Sequence, residues 1–246
     1  MRYIIGVDLG QVHDYTAVAI VERRQAPMGW VVRYLFRFPL GTSYVEIVEE
    51  IRRLMYLPAL RGQSQLVLDA TGVGRPVLDL FRQAGMGCRP VGISIHGGDA
   101  VTPDRAISGY RVPKRDIVSN LEVRFELGQV KINRSLPYAD LLLKELQNFR
   151  RHIAESGHDS YGAGRSGAHD DLVLALGIAI WLGQKYRPLP AVPLQDLPPI
   201  GPLAKAFFSG LEPQWFPLDP DQFVLGNYSA GVGRAGPHRT SIRIRR

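Results

Sequence analysis

The fold is decided by a short stretch near the start of the chain, Ile4–Gly10, which reads IIGVDLG. A nearly continuous apolar run of this length is typical of a strand that is buried on both faces in the middle of a sheet. Asp8 interrupts the run at its end, and a carboxylate there is costly to bury unless it is paired or bound to a metal ion. The stretch therefore predicts a central strand that ends in a functional acid.

The segments around this strand predict a mixed α/β sheet. Strand-like segments at 15–22 and 30–38 follow at once, and their short connections suggest an antiparallel meander. Residues 170–184 are apolar all round after the first turn, as in a buried helix. Further helices are predicted at 43–55, 73–84, 113–127 and 138–149, and further strands at 66–69, 89–95 and 130–132. We expect an antiparallel meander plus parallel strands, flanked by helices.

The composition divides the chain into two parts. Residues 1–186 hold the predicted domain, in which the polar segment 151–168 is expected to form a loop or hairpin. Residues 187–246 are rich in proline and end in four arginines between 239 and 246. They predict a semi-rigid linker and a basic tail, which either contacts DNA or another protein or has no fixed role.

Charge and cysteine content narrow the class of partner and of metal site. Lys and Arg number 30 against 23 Asp and Glu, a net charge of +7, which favours a nucleic-acid partner. The single cysteine, Cys88, excludes an internal disulfide and a cysteine-rich zinc site, so oxygen atoms are the expected metal ligands. The N-terminus lacks a signal-peptide layout and the apolar run 172–182 is too short for a bilayer, so we expect a cytoplasmic protein.

Four aspartates lie at predicted strand ends or at a helix start, where α/β proteins commonly have their functional residues. Asp8 and Asp69 end predicted strands, and Asp170 and Asp171 open the last helix. If the strands of Asp8 and Asp69 are neighbours, these carboxylates meet, and their repulsion favours a bound Mg²⁺ or Mn²⁺. Three of the four acids also have an ordinary alternative, since Asp69 suits a turn or helix cap and the Asp170–Asp171 pair complements a helix dipole. Asp8 is harder to explain in this way, because it interrupts a central strand.

Taken together, the segments from Ile4 to about Trp181 resemble the C-terminal nuclease domain of the large terminase subunit of tailed phages. Three motifs carry the resemblance, namely IGVDLG at 5–10 with DYTA at 14–17, LDATGVG at 68–74 and HDDLVLAL at 169–176. The resemblance implies an RNase H-like fold and hydrolysis of double-stranded DNA with weak sequence preference during viral genome packaging. It also implies two Mg²⁺ or Mn²⁺ ions held by Asp8, Asp69 and one or both of Asp170 and Asp171.

The chain departs from a complete large terminase in one respect. It contains no G-x-x-x-x-G-K-[ST] phosphate loop, so it cannot pump DNA by itself. A separate packaging ATPase, a portal or a small terminase subunit is the implied partner, in the host cytoplasm if the chain is phage-encoded. Basic residues predicted to contact DNA phosphates, with a plain solvated surface as the alternative, are Lys114, Arg115, Arg150, Arg151 and Arg165.

Three other functions compete with this interpretation. A Holliday-junction resolvase shares the fold and would cut four-way junctions. A sugar-kinase or actin-like ATPase shares the VDLG pattern at 7–10, but it needs a second similar domain for which the chain is too short. A catalytically idle DNA-binding or assembly module is the non-enzyme alternative, and the complete acid set disfavours it.

Overall fold

The computed structural model describes residues 1–10, 14–25, 28–72, 74–156 and 170–186. The predictions for Arg165, for the rest of the segment 157–168 and for the extension 187–246 lie outside these residues. Among the described residues, no helix combines the length and the apolar character needed to cross a membrane.

An eight-stranded sheet forms the centre of the described chain. Its strands are β1 Tyr3–Asp8, β2 Ala17–Gln25, β3 Met28–Arg37, β4 Ser64–Asp69, β5 Val91–His96, β6 Thr102–Asp104, β7 Gly109–Pro113 and β8 Val130–Ile132. They lie in the order β6-β7-β5-β4-β1-β2-β3-β8. Strand β1 pairs antiparallel with β2, and β2 with β3, which gives the predicted meander. On the other side β4 lies parallel to β1, followed by β5 and β7, also parallel. The predicted architecture, an antiparallel meander plus parallel strands flanked by helices, is confirmed.

In the part of the chain that the structure describes, five helices cover the two faces of the sheet. They are α1 Tyr44–Met55, α2 Gly74–Gln83, α3 Lys114–Glu126, α4 Ala139–Ser156 and α5 Asp171–Lys185. Helices α1 and α2 share one core with the β1 side chains Ile5 and Val7. Helices α3, α4 and α5 share the other core with Ile4 and the small residues of β2. Alternation along β1 therefore assigns Ile4, Gly6 and Asp8 to the face covered by α5.

Gly6 allows α5 to lie directly on the central strand. A Cβ atom at Gly6 would overlap the carbonyl oxygen of Ala175 and would come within 3.0 Å of the Ala179 Cβ. The partner surface of α5 is apolar almost all round, and its residues from Leu172 to Gly183 are buried apart from Leu174. This close packing fixes the start of α5 above the carboxyl end of β1.

Two features differ from the prediction. A hairpin of β6 and β7 lies at one sheet edge, where the sequence shows no alternating apolar pattern: β6 reads TPD and is largely exposed. Helix α4 continues to Ser156, so the predicted loop or hairpin at 151–168 is wrong for residues 151–156. That part of the helix is strongly polar, and its composition conceals the helical backbone.

Candidate active site

Asp8 and Asp69 lie at neighbouring strand ends on the same face of the sheet. The parallel register of β1 and β4 pairs Val7 with Leu68, and the two aspartates come next in each strand. Val67, two residues before Asp69, belongs to the core under α5, as Ile4 does on β1. Since side chains alternate along a strand, both aspartates share the face that α5 covers. Both are buried, with 9% and 6% of their surface exposed.

The start of α5 brings two further acids to this edge of the sheet. Asp170 is the N-cap residue of α5, yet its carboxylate makes no capping hydrogen bond to the helix. Its Oδ2 atom lies 3.2 Å from the Nζ atom of Lys114, the first residue of α3. Asp171, the first helical residue, is buried and accepts hydrogen bonds from Arg37. The two neighbouring acids therefore have different cationic partners.

The pKa values of the two strand acids show that these charges act on one another. Burial raises the pKa of Asp8 well above its usual range, and the charges of Asp69, Asp171 and Asp170 raise it further. Burial raises the pKa of Asp69 to about 6, against the opposing effect of hydrogen bonds from Thr71. A nearby cation, which would oppose both shifts, is therefore favoured at this point.

Lys114 is a cation already present among the acids. Its charge lowers the pKa of both Asp8 and Asp69, and its ammonium group forms an ion pair with Asp170. It follows β7 directly, so the hairpin at the sheet edge delivers it to the site. The sequence predicted a phosphate contact for Lys114, and the structure places it beside the carboxylates.

The described residues contain no ready-made metal site. Among them, no three His, Cys, Asp or Glu side chains are arranged to hold an ion. Asp170 faces Lys114, and Asp171 faces Arg37. The donor chemistry nevertheless fits Mg²⁺ or Mn²⁺, which prefer carboxylate oxygens as ligands. The acids of β1, β4 and the α5 N-cap lie close enough for their charges to affect one another's pKa.

Two residues of the site were missed by the sequence analysis, Arg37 and Glu145. Arg37 ends β3, and its guanidinium lies 3.5 Å from Glu145 and stacks over the Tyr15 ring at 4.0 Å. Glu145 is buried in α4, and burial raises its pKa to about 7, against the opposing charge of Arg37. A signal was available, because Ala139, Leu142 and Glu145 follow helical spacing on the buried face of α4.

The other predicted DNA contacts are placed differently. Arg115 forms ion pairs with Asp99 at 2.7 Å and with Asp116 at 3.7 Å. Arg150 and Arg151 lie in α4, where the description covers only the backbone. Their contact with DNA stays a prediction.

Replacing Asp69 with asparagine is expected to stabilise the metal-free protein at pH 8 but not at pH 4. The raised folded-state pKa means that ionised Asp69 destabilises the fold above about pH 6, and this penalty disappears as the pH falls towards the unfolded-state pKa near 4. The gain at pH 8 is on the order of 1–3 kcal/mol, measured by urea unfolding in EDTA. Asp79→Asn, at an exposed site on α2, is the control. An equal gain at both pH values would contradict the prediction.

The architecture and the acids together define a class of protein: a mixed α/β fold with a carboxylate site at the carboxyl ends of its central parallel strands. Solved structures with a similar fold include three terminase nuclease domains. The large terminase nuclease from thermophilic phage G20c is 23% identical over 72% of this chain and 80% of that chain, with a TM-score of 0.45.

The second is the Mn-soaked human cytomegalovirus terminase nuclease domain, 19% identical over 73% of this chain and 82% of that chain, with a TM-score of 0.46. The third is the nuclease domain of the bacteriophage SPP1 large terminase with bound Mn, 12% identical over 60% of this chain and 68% of that chain, with a TM-score of 0.41. No family model and no curated protein matches the sequence. At these identities and TM-scores the matches describe only a likeness of structure, of the kind that the sequence motifs predicted. The function therefore has to be argued from the residues of the site.

Proposed function

We propose that this chain is a metal-dependent endonuclease that hydrolyses phosphodiester bonds of double-stranded DNA with weak sequence preference, in viral genome packaging. The observation that carries the proposal is the buried carboxyl of Asp8. It ends the central strand, and its pKa responds to Asp69, Asp170, Asp171 and Lys114 at once. A buried acid with several like charges around it is destabilising, and function is the usual reason for such an arrangement.

The roles of the acids follow from their surroundings. Asp8 and Asp69 are fixed by the sheet and would supply one carboxylate each to a pair of Mg²⁺ or Mn²⁺ ions. Asp170 is the favoured third ligand because it is half-buried and faces Lys114, whereas Asp171 is bound by Arg37. Divalent ions held there would supply an activated water and would stabilise the departing 3′ oxygen.

Lys114 supports this chemistry by keeping the acids ionised. Carboxylates must lose their protons to bind a metal ion, and burial opposes that loss at Asp8 and Asp69. The ammonium group of Lys114 lowers both pKa values and therefore favours the form that binds metal. The positive charge of Lys114 also lies beside the edge that a DNA phosphate would have to approach.

The remaining parts of the proposal concern the setting of the enzyme. The net charge of +7 favours binding to the DNA backbone and a strong dependence on salt. Residues 1–186 would form the nuclease and 187–246 the basic extension. The sequence holds no phosphate loop, so movement of the DNA would fall to a packaging ATPase, and the enzyme would act in the cytoplasm.

The test is a cleavage assay with purified protein. We expect it to nick or linearise supercoiled plasmid in Mn²⁺ or Mg²⁺, and we expect EDTA to abolish cutting. Linear duplex and a four-way junction are offered in parallel, and paired symmetric cuts confined to the junction would favour a resolvase instead. Binding of duplex without cutting under every metal condition would support the idle DNA-binding module and overturn the proposal.

A further inference from the structure

The N-terminus of α5 is capped by a side chain from another helix. The Oε2 atom of Glu145 accepts hydrogen bonds from the backbone N–H groups of Leu172 at 3.0 Å and of Val173 at 3.3 Å. These are the amide groups that an N-cap aspartate normally binds with its own carboxylate. Asp170 occupies the N-cap and makes no such bond. Glu145 has thus taken over the capping role.

This exchange has a consequence for Asp170. Its carboxylate is not needed by its own helix and reaches Lys114 instead, at 3.2 Å. The positive charge of Lys114 in turn lowers the pKa of both Asp8 and Asp69. The side chain that the proposed function requires is therefore available because a residue on α4 binds the amide groups.

Arg37 fixes the second acid of the pair. The register places Asp8 opposite Ala17, and Ala17 opposite Arg37, so all three lie at one level of the sheet. The Arg37 guanidinium donates to Asp171 and also faces Glu145 at 3.5 Å. Arg37 therefore connects β3 with α4 and α5 in one buried contact, and it fixes the orientation of the Asp171 side chain.

We propose that Glu145 and Arg37 are positioning residues, which hold the first turn of α5 so that the Asp170 carboxylate stays out of its own helix cap and reaches Lys114 beside Asp8 and Asp69. This inference rests on the proposed function for its consequence, which is metal binding. Its structural content is independent of that function: without Glu145, Asp170 caps its own helix and leaves Lys114.

The first test measures Mn²⁺ affinity by calorimetry on folded protein. Glu145→Met keeps the volume of the side chain and removes the acceptor, and we expect Mn²⁺ affinity to fall about tenfold or more. Glu145→Gln retains an acceptor for the two amide groups and is expected to recover most of the affinity. Asp170→Asn should lose about tenfold or more. Unchanged affinity in Glu145→Met, or in Asp170→Asn, would overturn the proposal.

The chain offers a matched control at the other end of the sheet. Glu22 is also a buried glutamate bound by arginines, Arg2 and Arg33, but it lies opposite Tyr3 at the start of β1. Glu22→Met should lower the unfolding temperature and leave Mn²⁺ affinity within about twofold, since distant sites act independently. An equal loss of Mn²⁺ affinity in Glu22→Met and Glu145→Met would reduce the effect to general destabilisation and would overturn the proposal.

A second readout needs neither metal nor activity. The chain has five lysines, so protein labelled with ¹³C-lysine gives few signals, and Lys114→Arg assigns the one of interest. In Glu145→Met we expect the Lys114 signal to move towards its position in Asp170→Asn, because the ion pair is lost. An unmoved signal would overturn the proposal even if cleavage is observed. If the unaltered protein binds no Mn²⁺, the proposed function fails while this measurement still decides the positioning role.

Discussion

Replacing Asp8 with asparagine is expected to reduce metal-dependent cutting about a thousandfold or more, because metal ions supply several kcal/mol of transition-state stabilisation. Asp8 ends the central strand, and the residues beside it in the chain, Val7 and Leu9, carry no carboxylate that could replace it. The measurement is the initial rate of plasmid cleavage in saturating Mn²⁺.

The fold of the Asp8→Asn variant should be intact. Burial and the charges of Asp69, Asp171 and Asp170 raise the pKa of Asp8, so removing its charge should make the metal-free protein at least as stable at neutral pH. Circular dichroism and thermal unfolding in EDTA check this. Asp79→Asn, on the α2 side of the sheet, should cut at the normal rate. Full activity in folded Asp8→Asn would refute the site.

Replacing Gly6 with alanine is expected to destabilise the protein and to slow cutting together. The new Cβ would overlap the carbonyl oxygen of Ala175 and lie 3.0 Å from the Ala179 Cβ, so backbone has to move. Overpacking of this kind lowers the free energy of unfolding by about 1–3 kcal/mol. We expect a loss near the upper end of this range, because the atom in the way belongs to the helix backbone. For a domain of this size the unfolding temperature should fall by roughly 4–12 °C.

The effect on cutting follows from where α5 starts. A displaced α5 shifts Asp170 relative to Asp8, and a misplacement of about 1 Å can cost on the order of a hundredfold in rate. Gly97→Ala is the control, because nothing lies within 4 Å of a Cβ there and its backbone is not left-handed. Normal stability and a normal rate in Gly6→Ala would mean that α5 does not pack on β1 as described.

Much of the fold could be predicted because its signals are local. The run at 4–10 marked the central strand by its apolar continuity, and the apolar helix after Asp170 marked the element that covers it. The hairpin β6–β7 escaped prediction because both strands are short and β6, which reads TPD at the sheet edge, carries no alternating apolar pattern.

The two strand acids of the site were also predictable from local sequence, whereas the residues that position the acids of α5 were not. Asp8 and Asp69 each end an apolar run, so their position was visible in the sequence. Arg37 and Glu145 act through contacts between β3, α4 and α5, which only the tertiary structure reveals. The sequence also left Asp170 and Asp171 equivalent, whereas the structure gives them different partners.

The order of the elements along the chain bears on when the proposed site can form. Strand β1 is made before α5, and its buried face is covered only after α5 has left the ribosome. Contacts between such distant segments form slowly in folding, because long loops have to close first. A chain that is still being translated therefore lacks both the complete core and the carboxylates of Asp170 and Asp171, so the proposed nuclease could not act before the domain is finished.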